Sequence, residues 1–189
     1  MLSDGSFLIS SRYSSTQLND RAAGVIRFFA DGTQDPAFKL NFPAEYRALA
    51  SEALAIAGKF YAAVDSSRYT GTTPKATIAR FNNDGRLDPS FTPFTFDPNS
   101  SDNNVSGLVL QSDGKLLVTG QFLNVNGTGR SGIFRLNLDG SLDTSFTVTT
   151  MTGGRGLYAR PAIDANGKIL LGGEFTNFNG TAISGVVRL

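Results

Sequence analysis

The chain holds no histidine and no cysteine among its 189 residues. The commonest general base and metal ligand is therefore missing, and so is the thiolate nucleophile. Carboxylate pairs, Ser–Lys and tyrosine chemistry remain. The carboxylates are the best organised of these. Asp31/Asp35, Asp84/Asp88 and Asp139/Asp143 stand four apart, each pair in the frame Asp-Gly-x-x-Asp. One reading is a calcium loop, because hard cations want several carboxylate and carbonyl oxygens, although the spacing is sparser than in an EF-hand. The other is structural: the first Asp caps its turn and the second pairs with an arginine. Arg27, Arg80 and Arg135 each precede the second Asp by eight residues, and Phe38, Phe91 and Phe146 follow each Arg by eleven. A binding site is usually built once, whereas a scaffold feature is built in every repeat, so the structural reading is favoured. It predicts partly buried, bidentate pairs of Arg27 with Asp35, Arg80 with Asp88 and Arg135 with Asp143. Each Phe is expected to anchor the outer strand of its copy. No catalytic residue, metal or cofactor is assigned.

Other candidates are weaker. Asn126 to Thr128 and Asn179 to Thr181 both read Asn-Gly-Thr, a glycosylation acceptor and also a tight-turn tip. The turn is favoured. Tyr46 and Arg47, and Arg155, Tyr158 and Arg160, fall near the innermost strands of two copies. They could form a polar ligand rim, and ordinary exposed charge is the favoured alternative. Glu174 aligns with Gln121 and Lys59, which reads as a solvated strand position.

These residues recur because the chain repeats. Successive arginines Arg27, Arg80, Arg135 and Arg188 are separated by 53, 55 and 53 residues, and Arg188 opens a fourth copy just before Leu189. A second block precedes each Arg: Asp4 to Tyr13, Ala53 to Phe60 (degenerate), Asp113 to Phe122 and Asn166 to Phe175. From its last aromatic to the Arg is 14, 20, 13 and 13 residues, which predicts about seven extra residues within Tyr61 to Lys75. A period of this size is one supersecondary unit used repeatedly. Four short strands per period, joined by Gly, Asn and Asp turns, predict an all-β fold of β-propeller blades, each a four-stranded antiparallel meander. Leu116, Leu117 and Val118 in succession fit a sheet packed on both faces. A β-sandwich would not explain the period, and a β-helix has shorter rungs.

The expected organisation is one repeat domain over 1–189, in units 1–38 (partial), 39–94, 95–150 and 151–189 (partial). The third unit predicts strands at Gly107 to Leu110, Lys115 to Phe122, Gly132 to Leu136 and Phe146 to Thr150. The second predicts strands at Ile78 to Phe81 and Phe91 to Phe96. Its opening stretch, Tyr46 to Leu49 and then A-S-E-A-L-A-I-A, has helical propensity but is read as two strands by alignment with the later copies. The fourth predicts strands at Leu157 to Ile163, Lys168 to Phe175 and Gly185 to Leu189. Starting inside one copy and stopping inside another, the chain is expected to be an incomplete propeller from a longer parent.

Composition narrows the function. Seventeen basic and 16 acidic side chains give a net charge of +1, so no basic field argues for nucleic acid. No apolar run reaches membrane-spanning length, and no signal peptide is visible. Without cysteine there are no disulfide staples.

The pairing of N-G-K-I-L-L-G-G-E-F-T-N-F-N-G-T, Asn166 to Thr181, with I-F-R-L-N-L-D-G-S-L-D-T-S-F, Ile133 to Phe146, resembles the delta-60-type repeat. That is a bacterial repeat family of uncharacterised function assigned to β-propellers. The resemblance covers nearly the whole chain and is closest in the third and fourth units. It implies a segment of a large secreted or surface-attached bacterial protein, located outside the cell and joined to further repeats of the same parent. The implied role is non-enzymatic: structure, or an adhesion-type surface for a protein or glycan partner. The alternative is a propeller enzyme acting on polysaccharide or glycan through channel carboxylates.

Overall fold

The computed structural model describes residues 1–2, 4–10, 24–41, 49–65, 76–96, 104–122, 124–125, 128–147, 151–154, 157 and 160–189. Among these every regular element is a β-strand, and every strand pair is antiparallel. The chain divides into two compact units, Met1–Thr95 and Phe96–Leu189.

In the first unit, β1 (Phe7–Ser10) pairs with β2 (Val25–Phe28), setting Leu8 opposite Arg27. A four-stranded meander follows in simple order: β3 (Leu49–Ile56), β4 (Lys59–Asp65), β5 (Ala76–Asn82) and β6 (Phe94–Thr95). The alanine-rich stretch expected to give two strands is one strand, β3, with a bulge between Ala50 and Glu52. Seven cross-strand partners on β4 outweigh its helical propensity. The core of this unit joins Val25, Leu40, Phe60, Val64 and Phe81, with Phe60 and Phe81 stacked at 5.2 Å.

In the second unit, β7 (Asn104–Leu110), β8 (Leu116–Gln121) and β11 (Ile133–Leu136) form a sheet with β8 central. Leu116 to Gly120 are all buried, so β8 is covered on both faces. A small hairpin, β9 (Asn124–Val125) with β10 (Thr128–Gly129), lies between β8 and β11 in the chain. The predicted strand from Phe146 to Thr150 is not seen at Phe146 and Thr147, and residues 148–150 lie outside those described. Strand β12 (Met151–Thr152) instead pairs with β15 (Asn177–Phe178), which pairs with β16 (Thr181–Ala182). The last sheet is β13 (Ala162–Ile163), β14 (Ile169–Gly172) and β17 (Val186–Arg188), with β14 central. Its strands are shorter than expected. Leu117, Ile133, Phe146, Met151, Leu157, Leu171 and Phe175 share one apolar cluster.

The equivalences between copies run through a glycine turn rather than through an aromatic. Gly5, Gly58, Gly114 and Gly167 all have positive φ and open the strand that pairs with the Arg strand. From that glycine to the Arg is 22, 22, 21 and 21 residues. The expected seven-residue insertion after Tyr61 is therefore a false register: Phe60 matches Leu116, not Phe122, because Tyr61 and Leu117 both face their copy's Arg.

Two glycines give a test of the packing. A Cβ at Gly120 would stand 2.0 Å from the Asn104 carbonyl oxygen, whereas one at Gly129 would meet nothing within 4 Å. Gly120→Ala should cost about 1–3 kcal/mol in urea unfolding, and Gly129→Ala should be neutral or stabilising by about 0.5 kcal/mol.

Candidate functional site

The Asp-Gly turn puts each second Asp back on its Arg. Asp31, Asp84 and Asp139 each accept, through Oδ1, the backbone N–H two residues on, at 2.8, 3.0 and 2.9 Å. The following glycine amide closes the turn onto Phe29, Asn82 and Asn137. The chain then runs back, and the N–H groups of Asp35, Asp88 and Asp143 donate to the carbonyls of Arg27, Arg80 and Arg135, each at 2.9 Å. An offset of eight thus becomes direct adjacency.

The side chains meet there. Nε of Arg27, Arg80 and Arg135 donates to Oδ2 of Asp35, Asp88 and Asp143 at 2.7, 2.6 and 2.7 Å. In the first copy Nη2 of Arg27 donates to the same oxygen. In the first and third copies the arginine meets one carboxylate oxygen, so the fork-to-fork pairing expected from the sequence does not form there. Oδ1 is already taken by the backbone N–H of Ala37, Ser90 and Ser145, and by the Ser90 and Ser145 hydroxyls. The carboxylate closes a second turn with one oxygen and holds the arginine with the other.

Each phenylalanine covers its guanidinium. The Arg27, Arg80 and Arg135 Cζ atoms lie 5.0, 5.1 and 4.8 Å from the ring centres of Phe38, Phe91 and Phe146. None of the three is itself in a strand. Each closes the turn that starts at its Asp, where its N–H donates to the Asp carbonyl. Phe91 and Phe146 are buried, and Phe38 is half-buried.

A fourth member escaped the sequence reading. Lys59 and Lys115 place Nζ 2.6 and 2.9 Å from Oδ2 of Asp88 and Asp143. The signal was the Gly-Lys dipeptide at Gly58, Gly114 and Gly167. The equivalence of Lys59 with Gln121 and Glu174 is withdrawn with the false register; its counterparts are Lys115 and Lys168. In the first copy Ser6 takes this place, bonded to Asp4. In the fourth, Arg188 is half exposed and pairs with Asp164 through Nε and Nη2 at 2.9 and 2.6 Å.

Burial alone would raise the Asp88 pKa, but hydrogen bonds from Lys59, Ser90 and Arg80 hold it far below the usual carboxylate range. Asp143 is held down in the same way by Ser145, Lys115 and Arg135, and Asp35 by Arg27 and the Ala37 amide. A carboxylate this acidic, enclosed and fully bonded is a poor base or nucleophile at neutral pH. Among the described residues no three His, Cys, Asp or Glu side chains converge as metal ligands.

Of the ligand-rim candidates, Tyr46, Arg47, Arg155 and Tyr158 lie outside the described residues. Arg160 is exposed, and its backbone passes close over Gly107. Asn179 and Gly180 form the β15–β16 turn with φ of 47° and 83°, and the Gly180 amide is held by Asn177 Oδ1 at 2.9 Å.

A family model described as "Domain of unknown function (DUF5122) beta-propeller" matches residues 56–91, 111–146 and 165–189, together just over half of the chain. The chain belongs to this family. The first two DUF5122 segments open just before the Gly58 and Gly114 turns and close on Phe91 and Phe146, so each spans one whole Lys–Arg–Asp–Phe cluster. The fold is all-β, made of antiparallel β-propeller blades. A search of curated proteins finds no match.

Two measurements follow. The folded-state pKa values of Asp35, Asp88 and Asp143 are depressed, so their contribution is fully present above the unfolded value near pH 4. It is lost as pH falls below that toward the folded values. Circular dichroism between pH 5 and 1.5 should show acid unfolding (about this window), with a flatter pH dependence in the D35N/D88N/D143N variant. Separately, Phe91→Ala should cost about 3–5 kcal/mol by denaturant unfolding, and Phe38→Ala clearly less, because Phe38 is only half-buried.

Proposed function

We propose that this chain is a non-enzymatic β-propeller segment, serving as scaffold or interaction surface within a larger secreted or surface-attached bacterial protein of the delta-60 type. One observation carries this reading. The second Asp of each repeat is spent internally, on Arg, Lys, Ser and backbone donors. Chemistry that needs an accessible carboxylate finds none in these clusters. The partner on this reading is a protein or a glycan, met by the surface that the clusters hold in place.

The test is turnover against binding. The purified chain is incubated with neutral and acidic polysaccharides, and new reducing ends are counted. No turnover is expected, while retention on one glycan or protein class identifies the partner. Turnover lost on changing exposed carboxylates such as Glu174 and Asp139 to amides would overturn the reading.

A further inference from the structure

Arg130 departs from the pattern set by the other buried or half-buried arginines. It is only 5% exposed, yet no carboxylate among the described residues lies within ion-pair distance of it. Its Nη1 donates to the Phe146 carbonyl at 2.6 Å, while its buried Nε has no hydrogen-bond partner. A buried cation without a counter-ion is costly, and a buried orphan donor in a folded protein points to a group that satisfies it. The repeat does not ask for a charge here. Five residues before each repeat arginine stand Ala22, Lys75, Arg130 and Ile183, so an apolar side chain serves in the fourth copy.

Arg27 shows how such a side chain is completed. Its Nη1 donates to a backbone carbonyl, that of Asn83, at 2.7 Å, while its Nε/Nη2 edge takes the Asp35 carboxylate. Arg130 has the first half of that arrangement, and its buried Nε is left over. The planar Nε/Nη2 edge matches two oxygens of one carboxylate. We propose that Arg130 is the recognition residue of a carboxylate-binding site, taking the carboxylate of a small acidic ligand on its Nε/Nη2 edge. Unlike the clusters, this feature is built once, as a ligand site is.

The test uses the full chain at constant ionic strength, titrated with acetate, glucuronate or phosphate against a chloride control. Melting temperature and the arginine Nε–H resonances in a nitrogen-15 spectrum are followed, the Arg130 signal being the one absent from R130M. A saturable rise in melting temperature with acetate or glucuronate, together with a shift of the Arg130 Nε–H, is expected. Stronger response to glucuronate than to acetate assigns the carboxylate to an acidic sugar; equal response assigns it to the carboxylate alone. R130M should weaken the response at least about tenfold while melting no lower than the parent, and R130K should weaken it partly. If R130M does not fold, the parent titration with R130K decides. No saturable response, a response to phosphate only, or an undiminished response in R130M or R130K would overturn the proposal. A failed titration leaves the scaffold reading standing, and glycan turnover would leave the Arg130 site standing.

Discussion

A carboxylate buried beside a β-strand must be ionised and partnered, or it destabilises the strand it touches. In this chain that demand is met three times by one device. Arg27, Arg80 and Arg135 hold Asp35, Asp88 and Asp143, lysines add a second cation in two of the copies, and a phenylalanine closes over each guanidinium. The ring excludes water from the pair and is itself attracted to the cation. Because each Asp also closes a turn with its other oxygen, the ion pair locks backbone geometry.

The rest of each blade hangs on that lock. The Asp fastens the end of the Arg strand to the turn that follows, and in two copies Lys59 or Lys115 fastens the start of the central strand to the same oxygen. Three segments far apart in sequence thus converge on one atom. The apolar residues between them are then presented to the core, as with Phe60, Phe81 and Val64 in the first unit and Leu117, Ile133 and Phe146 in the second. In the fourth copy, Arg188 turns to Asp164 on the preceding turn, so its arginine strand is still tied by an ion pair, but an exposed one. Such a pair is worth little beside the buried ones.

The fold class was legible because period and turn grammar are properties of the chain itself. The Arg–Asp adjacency was legible for the same reason: a fixed offset across an Asp-Gly turn has one short way to close. The lysine is not legible from the aromatic that ends the block, because the second copy has Ser66 at that offset and offers Phe60 as a false match, while the turn glycine keeps its place in every copy. The phenylalanine's contact with the guanidinium is not legible, because an apolar residue after a turn signals burial alone, and only geometry shows that its ring faces a cation. Arg130 left no pattern to see, since it occurs once.

The central claim is that the buried Arg–Asp pair, and not generic burial, holds a blade together. A double-mutant cycle on Arg80→Met and Asp88→Asn, by urea unfolding, tests it most directly. Each single change should cost about 3 kcal/mol or more, because it strands the partner charge or its hydrogen bonds. The double change should cost less than the sum by about 1–3 kcal/mol. Small, additive losses from the two single changes would contradict the account.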